Sequence, residues 1–305
     1  MTAIVQVLLD GFALGSLYAL SALAIGLVFG IMRLINFAQG DLITIGGYAL
    51  ILPSSQMVAQ LFIGDWPWIF MVPAIVGICA AAALLTERIA FRPIRKADPA
   101  TLLITSFAVS FFIQNLILLA YGGRPKAAGI FPQLTHSVTL ADGLSVPGIQ
   151  LLTSCVAILL LGGLALFLKR TSTGMEMRAV AEDFTMARLL GVRSNRVIML
   201  AFALAGGLAG TVAVLLVAQT GVLDFRMGVF LAVYAFFATV LGGMNSLVGA
   251  ALGGYLVGGL SVALQAFLPD DLRPYRDAFL FGIVILLLLW RPQGLVVGQR
   301  GRERV

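Results

Sequence analysis

Asn36, Gln39 and Asp41 stand close together in FGIMRLINFAQGDLIT (29–44), a stretch flanked by apolar runs with little room for a loop. Two amides and a carboxylate clustered where a helix is expected to break and expose half-helix ends are the best candidates for the lining of a path. They include no nucleophile paired with a base. Polar side chains at membrane depth are costly, so they either find partners within a helix bundle or face water. Two structures fit these residues equally: a polar cytoplasmic turn, or a helix broken within the membrane whose freed backbone groups line a path. Thr105 and Gln114 are further path candidates. Thr105, like Ser106, is the weaker, because a hydroxyl can bond back to its own helix backbone. Gln114 and Asn115 cannot both point the same way, so at least one is expected in an interhelical hydrogen bond. Asn245, beside Gly242 and Gly243, is a candidate by analogy with the first break.

No pattern for covalent chemistry accompanies them. The chain has no GxxxxGK(S/T) phosphate loop, no glycine-rich nucleotide fingerprint followed by an acidic residue, no HExxH or CxxC, and no GxSxG. Its one histidine, His136, falls in the connection 122–149 and reads as a surface residue. Its two cysteines, Cys79 and Cys155, lie in apolar runs and read as small core residues. The chain is therefore expected not to be an enzyme and to carry neither a metal nor a cofactor.

The elements that must position these residues follow from composition. Of 305 residues, 60% are hydrophobic and 11% charged, whereas a soluble protein carries about 25% charged residues. Soluble enzymes, nucleic-acid binders, disordered chains and disulfide scaffolds are excluded. So is an outer-membrane barrel, whose short alternating strands do not give such long apolar runs. Apolar windows at about 4–30, 42–63, 69–86, 101–121, 150–168, 197–218, 229–243, 247–267 and 278–290 predict an all-α, polytopic helical membrane protein. The expected count is about eight to nine transmembrane helices, some of them broken. The first run lacks a preceding basic segment and continues to Phe29, so it is expected to stay in the membrane.

Basic residues set the orientation. Fifteen of the 20 lie in Arg33, the connections 87–100 and 169–196, and the tail from Arg291. Those segments, with the C-terminus, are expected to be cytoplasmic and the connection 122–149 external. The net charge of +6 is thus a signal of topology, and no nucleic-acid partner is expected. Gly206 with Gly210, Gly249 with Gly253, and Gly254 with Gly258 form GxxxG pairs, which let helix backbones approach closely in lipid. Two registers on the single helix 247–267 predict that neighbours pack on both its sides.

The connection TSTGMEMRAVAEDFTMARLLGVRSNR (171–196) has helix signals at both ends, with Ser and Thr at 171–173 to start and Gly191 to stop. At helical spacing Met177, Val180, Phe184 and Ala187 share one face. The spacing predicts one amphipathic helix of about four turns, over about 174–190. It could lie on lipid headgroups. Glu182 and Asp183 side by side disfavour an anionic leaflet and favour a protein partner with a groove for the apolar stripe.

Seven stretches in order carry a family resemblance: GFALGSLYAL (11–20), NFAQGDLITIGGYA (36–49), ERIAFRPIR (87–95), SFFIQN (110–115), RAVAEDFTMARLLGVRSNRVIMLAF (178–202), ATVLGGMNSLVGAALGG (238–254) and RPQGLVVG (291–298). Together the chain resembles the LivH-type permease of bacterial ABC importers for branched-chain amino acids. The resemblance implies one transmembrane permease domain over 1–305 in the bacterial inner membrane. It implies a second permease subunit, LivM-like or an identical copy, two cytoplasmic ATP-binding subunits and a periplasmic solute-binding protein. In that setting the 174–190 segment is similar to the coupling helix, with Glu182, Asp183 and Gly191 matching its acidic docking stretch. Arg178, Phe184, Met186 and Arg188 fall on or beside the same surface. Two positions depart from the family pattern: Gln39 stands where the family commonly has His, and Tyr234 where it often has Lys. Tyr234 thereby joins the path candidates, and the alternative to a branched-chain or other amino acid is a permease of the same family for urea, an amide or another small polar solute. An ATP-independent secondary transporter or channel is the reading from another class.

Overall fold

The computed structural model describes residues 2–54, 56–95, 97–135, 137–141, 144–244 and 246–296; Lys96, His136, Asn245 and the basic residues at 300–304 fall outside that set. The described chain is built on twelve α-helices. The first six are α1 (Thr2–Met32), α2 (Gln39–Tyr48), α3 (Trp68–Thr86), α4 (Arg92–Ile94), α5 (Pro99–Tyr121) and α6 (Gly148–Arg170). The others are α7 (Ser172–Glu182), α8 (Phe184–Leu189), α9 (Ser194–Thr220), α10 (Met227–Gly242), α11 (Leu247–Phe267) and α12 (Arg276–Trp290). A π-helical turn, Glu87–Phe91, links α3 to α4. The connection after α5 carries β1 (Lys126–Ala127), paired antiparallel with β4 (Val222–Leu223), and the hairpin of β2 (Ser137–Ala141) with β3 (Leu144–Pro147).

Among the described residues, six helices are long and apolar enough to cross a membrane: Ile4–Met32, Trp68–Ile94, Pro99–Tyr121, Gly148–Arg170, Ser194–Thr220 and Leu247–Phe267. The protein is a helical, multi-pass membrane protein. The expected span over 42–63 is not there. α2 has 10 residues, about 15 Å of helix, half of the roughly 30 Å hydrocarbon core. Pro53 lies a few residues beyond, and a proline cannot continue the hydrogen-bond ladder. Among the described residues from 49 to 62 there is no helix, and a bridge joins Ile51 to Leu61.

The chain divides into two compact units. In the first (Met1–Gly26, Phe131–Leu161, Tyr234–Val305), α11 is packed on two sides through its two glycine registers. A Cβ at Gly254 or Gly258 would run into the backbone of α1 at Ala19 and Gly15, and one at Gly249 or Gly253 into the backbone of α10 at Gly242 and Ala238. Small residues here replace the hydrophobic driving force that lipid removes, by letting backbones touch. The Thr239 hydroxyl donates to a carbonyl, with Ala235 O at 2.7 Å and Ala22 O of α1 at 3.1 Å. After α12 the chain returns to α10, where Leu295 N and Val296 N donate to Leu241 O and Gly242 O at 2.8 and 3.1 Å.

In the second unit (Leu27–Ile130, Gly162–Val233), α9 is the central helix and α3 lies along it. A Cβ on Gly206 would stand 2.8 Å from Ala80 Cα, and one on Gly210 2.8 Å from Val76 Cα, so this third glycine pair is also a packing seam. Cys79 of α3 is buried at that seam, its thiol 3.4 Å from Leu42 O. Cys155, expected in the core, is exposed on α6. A lipid-facing helix surface is as apolar as a core, so an apolar run does not distinguish the two. Lys126 is 2% exposed, its ammonium donating to the carbonyls of Ser54 and Gln56.

Candidate functional site

The polar stretch at 33–44 forms a buried break. α1 ends at Met32, and Arg33 takes a left-handed conformation, φ 52°, the one positive-φ residue other than glycine among those described. Residues 33–38 are irregular and α2 begins at Gln39. Asn36, Gln39, Asp41 and Thr44 are each at most 2% exposed, which excludes a solvated polar turn for them. Asn36 Oδ1 accepts from Ala38 N at 3.1 Å and so holds the entry to α2. Gln39 Nε2 donates to Ala205 O of α9 at 2.9 Å, but its Oε1 has no partner. Thr44 Oγ1 accepts from Gly228 N at 3.2 Å. Gly40 lies against the Gly228 backbone, an approach that a side chain would block.

Asp41 is fully buried in the first turn of α2, and no cation pairs with its carboxyl among the described residues. Ser110 and Gln114 of α5 flank its carboxyl. Gln114 Nε2 donates to Ser110 Oγ at 2.9 Å, which leaves the Ser110 hydroxyl proton free to turn toward Asp41. The structure therefore brings Asn36, Gln39, Asp41 and Gln114 into one unit and adds Ser110 and Thr44. Ser110 was legible only as the residue one turn before Gln114 on α5.

The remaining path candidates lie elsewhere. Thr105 bonds back to Thr101 O at 2.8 Å on an exposed face. Asn115 does the same with Phe111 O at 2.7 Å, whereas Gln114, which also bonds to Ser110 within α5, meets the Asp41 carboxyl of α2 across the helix interface. Tyr234, in the first unit, stacks between Tyr18 and Phe281, with ring centroids 5.0 and 5.5 Å away. Asn245 lies outside the described residues.

The arm at 171–191 differs from its expected form. It is two helices, α7 and α8, with an elbow at Asp183 in extended conformation. Thr171 Oγ1 caps α7 by accepting from Gly174 N at 3.0 Å. Asp183 Oδ1 caps α8 by accepting from Thr185 N at 2.8 Å and Met186 N at 2.9 Å. An acid read as mid-helix is thus an N-cap, a role that Asp favours. Gly191, at φ 88°, ends α8 in the left-handed region that glycine tolerates. Asp183→Ala is expected to remove about 1 kcal/mol from this turn, seen as faster amide exchange at residues 185 and 186.

The apolar stripe is also divided. Met177, Val180 and Ala187 are 2–3% exposed, buried where α7 and α8 meet α9. They are occupied by the chain itself, so they are not a face for a partner. The outward surface is a different set: Met186, Leu189 and Leu190 at 60%, 76% and 85% exposed, with Phe184 at 43%. Arg178, Glu182, Asp183, Arg188 and Gly191 are exposed as well.

A helical membrane protein with a short half-helix, buried unpaired polar groups at its start and an exposed capped arm is built as a transport subunit. The chain belongs to the branched-chain amino acid transport system permease component family, whose model matches residues 7–289. It is 35% identical over 98% of its length, and 97% of the relative, to the high-affinity branched-chain amino acid transport system permease protein BraD of Pseudomonas aeruginosa. It is 33% identical to the corresponding LivH of Escherichia coli K12, over 98% of this chain and 97% of that one. A solved inward-facing metal-chelate type ABC transporter aligns at a TM-score of 0.46 with 17% identity, over 92% of this chain and 85% of the other.

Proposed function

We propose that the protein is the membrane-spanning permease subunit of a bacterial ABC importer, translocating branched-chain or other amino acids while ATP is hydrolysed on separate subunits. The family match across 7–289 carries this reading. The partners are two cytoplasmic ATP-binding subunits, a second permease subunit, LivM-like or an identical copy, and a periplasmic solute-binding protein, assembled in the inner membrane. Residues 1–305 act as one permease domain with a cytoplasmic C-terminus. α10 and α12, at 16 and 15 residues, add two crossings to the six long helices, and α2 enters the membrane without crossing it. Asn36, Gln39, Asp41 and Gln114 contact the solute in transit. The arm docks on the ATP-binding subunit through Phe184, Met186, Leu189 and Leu190, with Glu182, Asp183, Arg178 and Arg188 as the charged rim.

The test is ATP hydrolysis by the reconstituted complex in response to loaded binding protein. Leu189→Glu with Met186→Glu places two charges in an apolar contact and is expected to abolish the stimulation, while Met177 and Val180 keep the arm attached. Undiminished stimulation sinks the docking assignment, and uptake in liposomes without any ATP-binding subunit sinks the importer reading. A second solute class is favoured by one observation. The break offers an unpartnered acceptor at Gln39 Oε1 beside the Asp41 carboxyl, and urea or an amide brings several N–H donors. Melting of the binding protein with each solute separates the two.

A further inference from the structure

A cleft of about 430 Å³ opens between the end of α1 and the arm, within the second unit. That volume lies in the range of about 300–1,000 Å³ typical of small-molecule sites. Its charged lining comes from separate elements: Arg33 after α1, Arg95 after α4, and Glu182 and Asp183 at the elbow of the arm. Ile31 and Met32 at the end of α1 supply apolar surface beside them.

The charges are only partly used. Arg95 is ion-paired with Glu87, and its Nη1 donates to Asn195 Oδ1 at 2.7 Å, yet its buried Nε has no partner. Asp183 caps α8 through Oδ1. Neither Arg33 nor Glu182 is in an ion pair among the described residues. Guanidinium groups suit a carboxylate or a phosphate through charge-assisted hydrogen bonds. A phosphate or an anionic lipid headgroup would meet the two acids as well, and a simple cation would meet the two guanidinium groups. A ligand with a carboxylate, an ammonium and an apolar side chain satisfies all three kinds of lining.

We propose that this cleft is a second binding site, taking the zwitterion of a free apolar amino acid from the cytoplasmic side and slowing further import. The proposal rests on the transport reading above and adds regulation to it. The carboxylate binds the exposed Arg33 guanidinium, with Arg95 adding positive charge behind it, and the ammonium binds Glu182. The bound molecule then ties the arm to the end of α1. A ligand that holds one arrangement of a moving arm shifts the equilibrium away from the others, and that coupling lowers turnover.

The test uses the whole complex in proteoliposomes, with ATP and unlabelled leucine in one compartment and labelled leucine on loaded binding protein in the other. Leucine in the ATP compartment is expected to lower the initial uptake rate about fivefold, the low end of typical coupling between sites. Arg33→Asn removes the guanidinium and keeps a residue that tolerates left-handed backbone. It is expected to transport at the wild-type rate without product and to lose the inhibition. Leucinamide, which lacks the carboxylate, is expected not to inhibit. An uptake rate indifferent to leucine, an Arg33→Asn variant inhibited like wild type, or leucinamide acting like leucine overturns the proposal. Absence of ATP-driven leucine uptake in the wild type, even without product, instead overturns the branched-chain amino acid reading on which the proposal rests.

Discussion

Asp41→Asn is expected to leave the protein folded, with an equal or higher melting temperature in detergent, while ATP-driven uptake of an amino acid falls about tenfold to a hundredfold. The two halves of this result have one cause. An unpaired carboxylate in a dry interior costs several kcal/mol, and an amide of the same shape relieves it. Asp41 is fully buried with no cation beside it, and only the neutral Ser110 and Gln114 side chains meet its carboxyl, so the folded resting state gains little from its charge. A hydrogen bond to a charged group contributes about 1.5–3 kcal/mol, and that is what a passing ammonium would lose in the variant. The Gln114–Ser110 pair supplies only neutral dipoles at this position and does not replace the charge. For urea or another neutral solute the same substitution is expected to cost far less, since the amide oxygen still accepts from N–H. Uptake assays on purified complexes, normalised to protein, read the difference. Wild-type uptake by Asp41→Asn of an amino acid places Asp41 outside the path.

Much of this site was legible from residue types, and its limits are equally physical. Asn36, Gln39 and Asp41 stand out because polar groups between apolar runs need a reason. Their burial does not follow from sequence, since a turn and a half-helix have the same letters. The window at 42–63 read as a span because hydropathy averages over Pro53 and over the irregular backbone that follows α2. In the arm, 3.6-residue periodicity picked out Met177, Val180 and Ala187 as a face. Periodicity cannot say whether the chain's own α9 or another protein covers it, and α9 does. The elbow escaped because Asp183 was read by its charge, although Asp two or three residues before free backbone amides is a capping signal. The glycine registers of α11 predict neighbours on both sides, though not which helices they are, because close backbone approach depends on side-chain size, a property written directly in the sequence.

That last point yields the steepest stability contrast in the molecule, between two adjacent residues of α11. Gly258→Ala places a methyl group against the backbone of α1 at Gly15, with the Leu14 carbonyl carbon 3.1 Å away. Gly259→Ala meets nothing within 4 Å. Backbone cannot turn aside as a side chain can, so the first change forces α1 and α11 apart and is expected to cost about 3 kcal/mol, the upper end for overpacking. Separating the helices also loosens the neighbouring contact of Gly254 with Ala19, because both glycines share one seam. The second change only reduces backbone freedom in the unfolded chain and is expected to stabilise by about 0.5–1 kcal/mol. Unfolding of the two variants in mixed micelles measures both, and the neutral neighbour controls for the general effect of replacing glycine in a membrane helix. Equal stabilities would falsify the packed seam, because no difference in helix propensity separates two neighbouring glycines and only the approach of α1 does.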